Sequence, residues 1–329
     1  MQKKQASKKE VIHFQNFLLQ VKEEMSKTVV GQFIVLDGLL RAIACDGHVL
    51  VEGAPGLAKT LIIKTLATVS GCGATRIQFT ADLLPSDILG VSSFAKGRGF
   101  EIIKGPIFSH FILADEINRA PPKVQSALLE AMQEGQATIG GKTLKVPDPF
   151  FVLATENPLE SLGVYPLPEA QKDRFLFKLL IGYPNQEEEK QILKTNITLN
   201  RFEDFKVKAL LNANKINTLQ KFTKEIYLNE DIEKYIVRII DATRTPEKYN
   251  IKLGKYLEWG GSPRASIGLY IAAKADALLA GKHFVVPQNV KNVAHDVLRH
   301  RLIINYEGQA ENIKADAIIE EVLHKVRVP

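Results

Sequence analysis

Residues 48–67, HVLVEGAPGLAKTLIIKTLA, combine residue types in an order that suits phosphate binding. An apolar run at His48–Val51 predicts a buried strand, and a loop of small residues leads from it into a helix near Lys59. Backbone N–H groups of such a loop and of a helix N-terminus converge on an anion. We therefore expect Lys59 to reach the β- and γ-phosphates of a nucleotide and the Thr60 hydroxyl to ligate Mg²⁺.

One position in this loop departs from the strict P-loop pattern, which has glycine immediately before the lysine. Here that residue is Ala58. Its Cβ allows a backbone near the right-handed helical region and disfavours a positive φ. A strand, a loop and a helix that bind no ligand are the alternative interpretation of the segment.

Two further apolar runs end in polar side chains. Asp115 and Glu116 follow Phe111–Ala114, and Asn157 follows Phe150–Ala154. In a parallel sheet, ligands bind beyond the carboxyl ends of the strands, so these side chains should lie beside the phosphate loop. We predict that Asp115 holds Mg²⁺, that Glu116 is the general base for an attacking water, and that Asn157 orients water or contacts the γ-phosphate. Solvated acids and a turn asparagine are the alternatives.

Two arginines could supply the positive charge that phosphoryl transfer requires. Arg174 lies just before the last apolar run, and Arg264 lies at the start of a predicted helix. A guanidinium suits developing phosphoryl charge because its donors form a planar fork. For Arg174 the alternative is a surface ion pair with Asp173 or Glu169.

The order of elements predicts an α/β fold with a parallel five-stranded sheet flanked by helices, because helical segments separate several of the apolar runs. The predicted strands are His48–Val51, Thr75–Phe79, Phe111–Ala114, Phe150–Ala154 and Phe177–Ile181. Two glycine-containing hairpins, at 94–103 and 136–146, should project from this core. Their basic residues are Lys96, Arg98, Lys142 and Lys145.

Helical periodicity replaces strand signals after residue 183. We therefore predict three segments: 1–27, a disordered basic tail of about ten residues followed by an amphipathic helix; 28–183, the α/β core; and 184–329, a helical domain.

Composition indicates an ordinary soluble protein. The chain has 329 residues, of which 45% are hydrophobic and 24% are charged, with a formal net charge of +6. Two cysteines suggest neither a disulfide framework nor a metal site. Because we find no signal peptide and no apolar run long enough for a membrane span, we expect a cytoplasmic protein.

Several longer blocks together resemble the MoxR family of AAA+ ATPases. In chain order they are GAPGLAKT, FTADLLPSDILG, GPIF, LADEINRAPPKVQSALLEAMQEGQATI, ATENPLE, YPLPEAQKDRF and SPRAS. The similarity extends over about residues 28–310. Members of this family tend to carry alanine at the position of Ala58. Glu156 is a departure, since the family more often has glutamine there.

The resemblance implies an AAA+ P-loop core followed by an all-helical lid, with ATP between them and Mg²⁺ as cofactor. Asp115 and Glu116 would be Walker B, Asn157 would be sensor 1, and Arg264 would be sensor 2 on the lid. Arg174 would be an arginine finger that points at the ATP of a neighbouring subunit. The catalytic residues would be Lys59, Glu116, Asn157, Arg174 and Arg264. The residues that contact the nucleotide would be Val30, Gly31 and Gln32 near adenine, and Gly53, Ala54, Pro55, Gly56, Leu57, Ala58, Lys59, Thr60, Leu61, Asp115 and Arg264, with Thr60 and Asp115 also holding Mg²⁺.

The same resemblance implies a ring, expected to be a hexamer, in which the two hairpins face the pore. It implies Mg²⁺-dependent ATP hydrolysis that drives chaperone-like remodelling, maturation or metal-cofactor insertion in a client protein complex. A separate protein with a von Willebrand factor A domain is the expected partner. The alternatives are a ring-shaped nucleic-acid motor and a nucleotide-gated scaffold with little turnover. We regard nucleic acid as an unlikely partner, because the chain lacks a helix-turn-helix signal, a zinc finger and a basic patch with interleaved aromatic residues.

Overall fold

A computed structural model of the chain describes residues 6–54, 56–95, 99–157, 163–195 and 201–329. The strands, numbered in chain order, are β1 Val49–Gly53, β2 Ala74–Gln78, β3 Gly90–Ala95, β4 Gly99–Lys104, β5 Phe111–Asp115, β6 Gln136–Ile139, β7 Lys142–Lys145, β8 Phe151–Glu156, β9 Phe177–Ile181, β10 Leu257–Trp259 and β11 Ile303–Ile304. The helices are α1 Lys8–Ser26, α2 Phe33–Ala44, α3 Lys59–Ser70, α4 Pro85–Leu89, α5 Pro122–Glu134, α6 Glu169–Lys172, α7 Gln186–Thr195, α8 Ala213–Glu225, α9 Glu230–Arg244, α10 Pro263–Leu279, α11 Pro287–Leu298, α12 Tyr306–Ala310 and α13 Ala315–Lys325. Short 3₁₀ helices lie at Pro106–Phe108, Ile117–Arg119, Phe202–Phe205, Pro246–Tyr249 and Lys252–Tyr256.

The five predicted strands form one parallel sheet in the order β2–β5–β8–β1–β9. In register, Val49 of β1 lies beside Leu153 of β8 on one side and Phe177 of β9 on the other. Every residue of the interior strand β5 is buried, whereas β2 at the edge is mostly exposed. This pattern follows from the parallel arrangement, in which helices cover both faces of the sheet.

Alternate residues of the three interior strands, β1, β5 and β8, pack into two different apolar cores. Phe111 and Leu113 of β5 belong to a core that also contains residues of α1, α2, α3 and the C-terminal helices. Ile112 and Ala114 belong to a second core on the opposite face, with residues of α4 and α5. The first core is continuous from the sheet into the helical region. The predicted division of the chain into two domains at residue 184 therefore stays a prediction.

The helical region contains one pair of strands that the sequence did not predict. β10 and β11 form a short antiparallel ladder beside the helices. At the other end of the described chain, α1 begins at Lys8, so the tail is shorter than the ten residues predicted. Ser7 and Glu10 explain this start, because each side chain bonds the backbone N–H of the other in a capping box. Within the described ranges, no helix has the length and apolar character needed to cross a bilayer.

Both predicted hairpins form. β3 pairs with β4, beginning earlier in the chain than expected, and the turn with Lys96 and Arg98 lies outside the described residues. β6 pairs with β7 through Gly140 and Gly141, whose φ values of 55° and 78° match the turn type in which both central residues need a positive φ. The two hairpins lie side by side, since a Cβ added at Gly140 would be 2.7 Å from the Ser92 Cβ.

Three consecutive basic residues after α11 attach the helical region to β9. Arg299 Nη1 donates to the Lys178 carbonyl at 2.7 Å, and Arg301 Nη2 donates to the Phe175 carbonyl at 2.6 Å. Between them, His300 Nε2 lies 2.9 Å from the same Phe175 oxygen. From residue type alone, three consecutive basic side chains would be expected to lie in solvent. In the structure, however, His300 and Arg301 are buried.

His300 should make the stability of this junction depend on pH. Burial lowers its pKa well below the ordinary value of 6.5, and the charges of Arg301, Lys178 and Arg299 act in the same direction. Its Nδ1 has no hydrogen-bond partner among the described residues, so a second proton there would be a buried donor without an acceptor. The folded chain therefore keeps His300 neutral where the unfolded chain protonates it.

We expect the His300 contribution to stability to be complete above pH 6.5 and to be lost as the pH falls, by roughly 1 kcal/mol per pH unit. Urea unfolding of the wild type and of His300→Gln between pH 7.5 and 5 measures this, because glutamine can still donate to Phe175 but does not titrate. The curve of His300→Gln should be flatter. His283→Gln, at an exposed position, is the matched control and should keep the wild-type slope. Equal slopes for the wild type and His300→Gln would contradict this account.

Candidate functional site

The predicted phosphate loop connects β1 to α3 at the carboxyl edge of the sheet. Gly56 has a φ of +82°, and Ala58 has φ 56° and ψ 19°, both in the left-handed region. Ala58 therefore has the positive φ that its Cβ disfavours, and not a backbone near the right-handed helical region. Alanine takes the conformation of the P-loop glycine at a cost of about 1–2 kcal/mol. Pro55 lies outside the described residues.

The start of α3 has the features that an anion and Mg²⁺ need. No side-chain cap occupies its first-turn N–H groups among the described residues, and Thr60 is exposed on this first turn. Lys59 Nζ donates to the Gly53 carbonyl at 2.8 Å and to the Glu156 carbonyl at 3.4 Å, which holds the ammonium over the loop. Amide donors, a lysine and a hydroxyl fit a triphosphate with its metal ion.

Asp115 lies at the end of β5, as predicted, and is buried. Its Oδ1 accepts a hydrogen bond from Thr155 Oγ1 at 2.7 Å, and its Oδ2 pairs with Arg76 Nη2 at 2.7 Å. A carboxylate oriented in this way suits Mg²⁺, which takes oxygen ligands from one or two protein groups and keeps waters. The described residues contain no cluster of three or more His, Cys, Asp or Glu that could hold a metal by themselves.

Glu116 occupies a strained position. Its φ is 57°, and its backbone N–H donates to Thr155 Oγ1 at 2.8 Å. Its carboxylate Oε2 accepts hydrogen bonds from Gln78 Nε2 at 2.9 Å and from Arg119 Nη1 at 3.1 Å. The same threonine hydroxyl thus orients both acids, and such strain is typical of functional sites.

Sequence reasoning missed Arg76, Gln78 and Thr155. Arg76 and Gln78 alternate with Ile77 along β2, a pattern that indicates only a half-exposed edge strand. Thr155 precedes two residues that we discussed, but its hydroxyl gains a role only when β8 lies beside β5.

Asn157 follows β8 and is buried at the same edge of the sheet. Burial raises the pKa of its neighbour Glu156, and Lys178 and Lys172 oppose this shift. Lys178 also pairs with Glu52, the β1 residue in register with Glu156, at 2.5 Å. A raised pKa moves Glu156 towards the neutral form, which is closer in chemistry to the glutamine more usual at this position.

Residues Val30, Gly31 and Gln32 immediately precede α2, and Gly31 and Gln32 lie against the segment after β9. Gln32 Nε2 donates to the Gly182 carbonyl at 3.1 Å. A Cβ at Gly31 would lie 2.6 Å from Glu188 Cδ, and φ there is +78°, so a side chain would be excluded. The segment is therefore closely packed, and its contact with adenine stays a prediction.

The two arginines lie together, at the edge of the sheet opposite Lys59. Arg174 and Arg264 line one cavity of about 290 Å³ with His48, which directly precedes β1. The phosphate loop follows β1 at its other end, and a strand of 5 residues is roughly 17 Å long. Arg264 and Lys59 of one subunit therefore lie at opposite edges of the sheet, and the binding of ATP between the sheet and the lid stays a prediction.

The predicted alternative for Arg174, an ion pair with Asp173 or Glu169, does not form. Glu169 pairs with Lys172 at 2.9 Å, and Asp173 pairs with Arg264 and Arg301. Among the described residues, the Arg174 guanidinium has no hydrogen-bond or ion-pair partner. A half-buried guanidinium of this kind can bind an anion.

Comparisons with known proteins show to which family the chain belongs. Residues 48–177 match the family described as ATPase family associated with various cellular activities (AAA), and residues 254–322 match the AAA lid domain. The chain is 45% identical to chaperone MoxR1 of Mycobacterium tuberculosis over 309 residues, which cover 93% of this chain and 81% of the relative. It is 42% identical to the uncharacterized protein YeaC of Bacillus subtilis over 308 residues, 93% of each chain.

A crystal structure at 2.00 Å of a Cytophaga hutchinsonii protein described as an ATPase matches with a TM-score of 0.89 and 44% identity, over 97% of each chain. The parallel sheet order, the P-loop and the helical lid together define the class of AAA+ ATPases. Within that class, the chain belongs to the MoxR family, as its motifs indicated.

Ala58→Gly should stabilise the fold by about 0.5–1 kcal/mol, because glycine removes the left-handed strain and only part of the gain is offset by its greater freedom when unfolded. Denaturant unfolding measures the change. The matched control is Ala67→Gly in the interior of α3, which should destabilise by about 1 kcal/mol. If Ala58→Gly were as destabilising as Ala67→Gly, Ala58 would not have a positive φ in solution.

Proposed function

We propose that the chain hydrolyses ATP in a Mg²⁺-dependent reaction, at sites that neighbouring subunits of a ring share. The observation that supports this most directly is that Arg174 and Arg264 lie at the sheet edge opposite Lys59. A head-to-tail ring brings one edge of each subunit against the other edge of the next. We expect six subunits from the family resemblance.

Within one subunit, the loop amides and Lys59 bind the triphosphate, and Thr60 and Asp115 supply oxygens that would hold Mg²⁺. When bound, Mg²⁺ neutralises phosphate charge and orients the reacting phosphoryl group. Glu116 accepts the proton of the attacking water. Gln78 and Arg119 both bond its Oε2, so we assign the proton to Oε1.

The neighbouring subunit supplies Arg174 and Arg264, which stabilise the charge that develops on the transferred phosphoryl group. Loss of the γ-phosphate then removes a contact between two subunits. In this scheme the sheet and the helical region of one chain move together, because they share an apolar core and because Arg299 and Arg301 bond carbonyls of β9 and of the segment before it. In this scheme, ATP hydrolysis changes the angle between two neighbouring subunits of the ring.

The moving parts that contact a client would be the two hairpins. Phe94 and Phe100 are 67% and 71% exposed, and they face each other across β3 and β4 with ring centroids 5.4 Å apart. Exposed aromatic residues on a hairpin that projects from the core are suited to binding another protein. The name of the relative MoxR1, a chaperone, supports a chaperone-like role. We propose remodelling, maturation or metal-cofactor insertion in a client complex, with a separate von Willebrand factor A domain protein as adaptor.

Arg174→Ala should lower ATP turnover by about 10³–10⁵-fold with nearly unchanged ATP affinity, because its guanidinium acts on a nucleotide bound by another subunit. Phosphate release and calorimetric titration of ATP with Mg²⁺ measure the two quantities. Arg327→Ala removes an exposed arginine at the end of the chain and is the matched control.

Mixing subunits tests whether the site is shared. Arg174→Ala subunits keep a complete phosphate loop, and Lys59→Ala subunits keep both arginines. An equal mixture should regain roughly a quarter of wild-type turnover, since random assembly of a ring leaves that share of interfaces intact. A mixture as inactive as its components would show that Arg174 acts in its own subunit.

Glu116→Gln should bind ATP like the wild type but release phosphate about 10²–10⁴-fold more slowly, because the general base is lost. Glu134→Gln, at an exposed position on α5, is the control. A wild type that binds ATP without turnover would favour the scaffold interpretation. A folded wild type that takes up no adenine nucleotide with Mg²⁺ would exclude the proposal.

A further inference from the structure

The carboxylate of Asp173 connects three segments that are distant in sequence. It lies between α6 and β9, directly before Arg174. Oδ2 accepts from the Ser262 hydroxyl at 3.2 Å and lies 3.6 Å from Arg264 Nη1, both at the start of α10. Oδ1 accepts from Arg301 Nε at 2.7 Å, beyond the end of α11.

Arg301 makes this junction rigid. Its side chain is 3% exposed, and a buried guanidinium is tolerated only when its charge and donors are satisfied. Besides Asp173, it donates to the carbonyls of Phe175 at 2.6 Å and of Leu176 at 3.0 Å. These bonds hold the backbone of residues 173–176, and therefore the Cα of Arg174, against the helical region.

The start of α10 is held by the same carboxylate. Ser262 Oγ caps the helix by accepting from the Arg264 N–H at 3.2 Å while it donates to Asp173. Arg264 is thus connected to Asp173 twice, directly by its guanidinium and indirectly by its backbone N–H through the Ser262 hydroxyl. Two guanidiniums, those of Arg264 and Arg301, pair with the Asp173 carboxylate. The next residue, Arg174, has no hydrogen-bond or ion-pair partner among the described residues.

We propose that Asp173 is a positioning residue that sets the spacing between Arg174 and Arg264, so that both reach the same phosphoryl group. This inference rests on the shared site proposed above. Asp173 does not touch ATP in this scheme. Its carboxylate determines where two arginines from different elements lie, and it weakens the repulsion between them.

Asp173→Asn should lower kcat by about 10²-fold and leave the KM for ATP unchanged, because a misplacement of about 1 Å costs that much and the nucleotide is bound by another subunit's loop. Asp276→Asn is the matched control, because Asp276 is a buried aspartate on α10 that pairs with Arg41 at 2.8 Å and lies away from the arginine cavity. It should lower stability without changing kcat per folded ring.

Mixed rings separate this inference from the shared-site proposal. Asp173→Asn subunits mixed with Lys59→Ala subunits should regain turnover as the Arg174→Ala mixture does. If the Arg174→Ala mixture recovers and the Asp173→Asn mixture does not, the positioning role is excluded and the shared site stands. If neither recovers, both proposals are overturned.

A double variant, Asp173→Asn with Arg301→Met, covers the case in which Asp173→Asn alone unfolds. It removes both members of the buried ion pair, a change that proteins often tolerate. It should melt below the wild type, because the Phe175 and Leu176 carbonyls lose a donor, but it should fold, because no unpaired charge is left buried. It should still show the reduced kcat, because Arg264 has lost its carboxylate. Wild-type kcat in the double variant would mean that Asp173 only balances the charge of Arg301, and would overturn the inference.

Discussion

The length and direction of β1 are the constraint on which the arrangement of this molecule depends. The strand is parallel to its neighbours, so everything that follows a strand lies at one edge of the sheet and everything that precedes a strand lies at the other. Lys59, Asp115 and Glu116 follow strands. Arg174 precedes one, and α10 packs so that Arg264 lies beside it. A β-strand cannot bend to bring its ends together, and this is why we look for the complete site between two subunits.

Two of the six positive φ values that non-glycine residues have in the described part of the chain lie where phosphate chemistry is expected. Ala58 and Glu116 both have positive φ values without being glycine. Each costs on the order of 1–2 kcal/mol, so the surrounding contacts must over-determine the conformation. For Glu116 the Thr155 hydroxyl supplies part of this, since it binds the Glu116 N–H and the Asp115 carboxylate together. The two acids are therefore oriented as one unit.

Polar contacts, rather than apolar packing alone, determine how the helical region lies on the sheet. The apolar core that joins them would tolerate sliding, because dispersion and hydrophobic contacts are non-directional. The hydrogen bonds of Arg299, His300 and Arg301 are directional, and they join these side chains to carbonyls of β9 and of the segment before it. The orientation of α11 is thereby transmitted to the loop that carries Arg174. The same bonds explain why movement between the sheet and lid of one chain is not required for the proposed cycle.

The sequence by itself determined the strands, the hairpins and the phosphate loop of this protein. Apolar runs such as Phe111–Ala114 predict buried strands, and the pair Gly140-Gly141 predicts a tight turn. Both predictions work because the patterns involve only residues that are neighbours in the chain. Only the tertiary structure decided the left-handed backbone of Ala58, the hydrogen bonds of Arg76, Gln78 and Thr155, and the side of the sheet on which Arg264 lies. The same holds for Asp173 and Arg301, which are 128 residues apart and meet at 2.7 Å. Such contacts depend on how separate helices and strands pack against each other. A sequence pattern within one segment does not indicate which distant segment lies beside it.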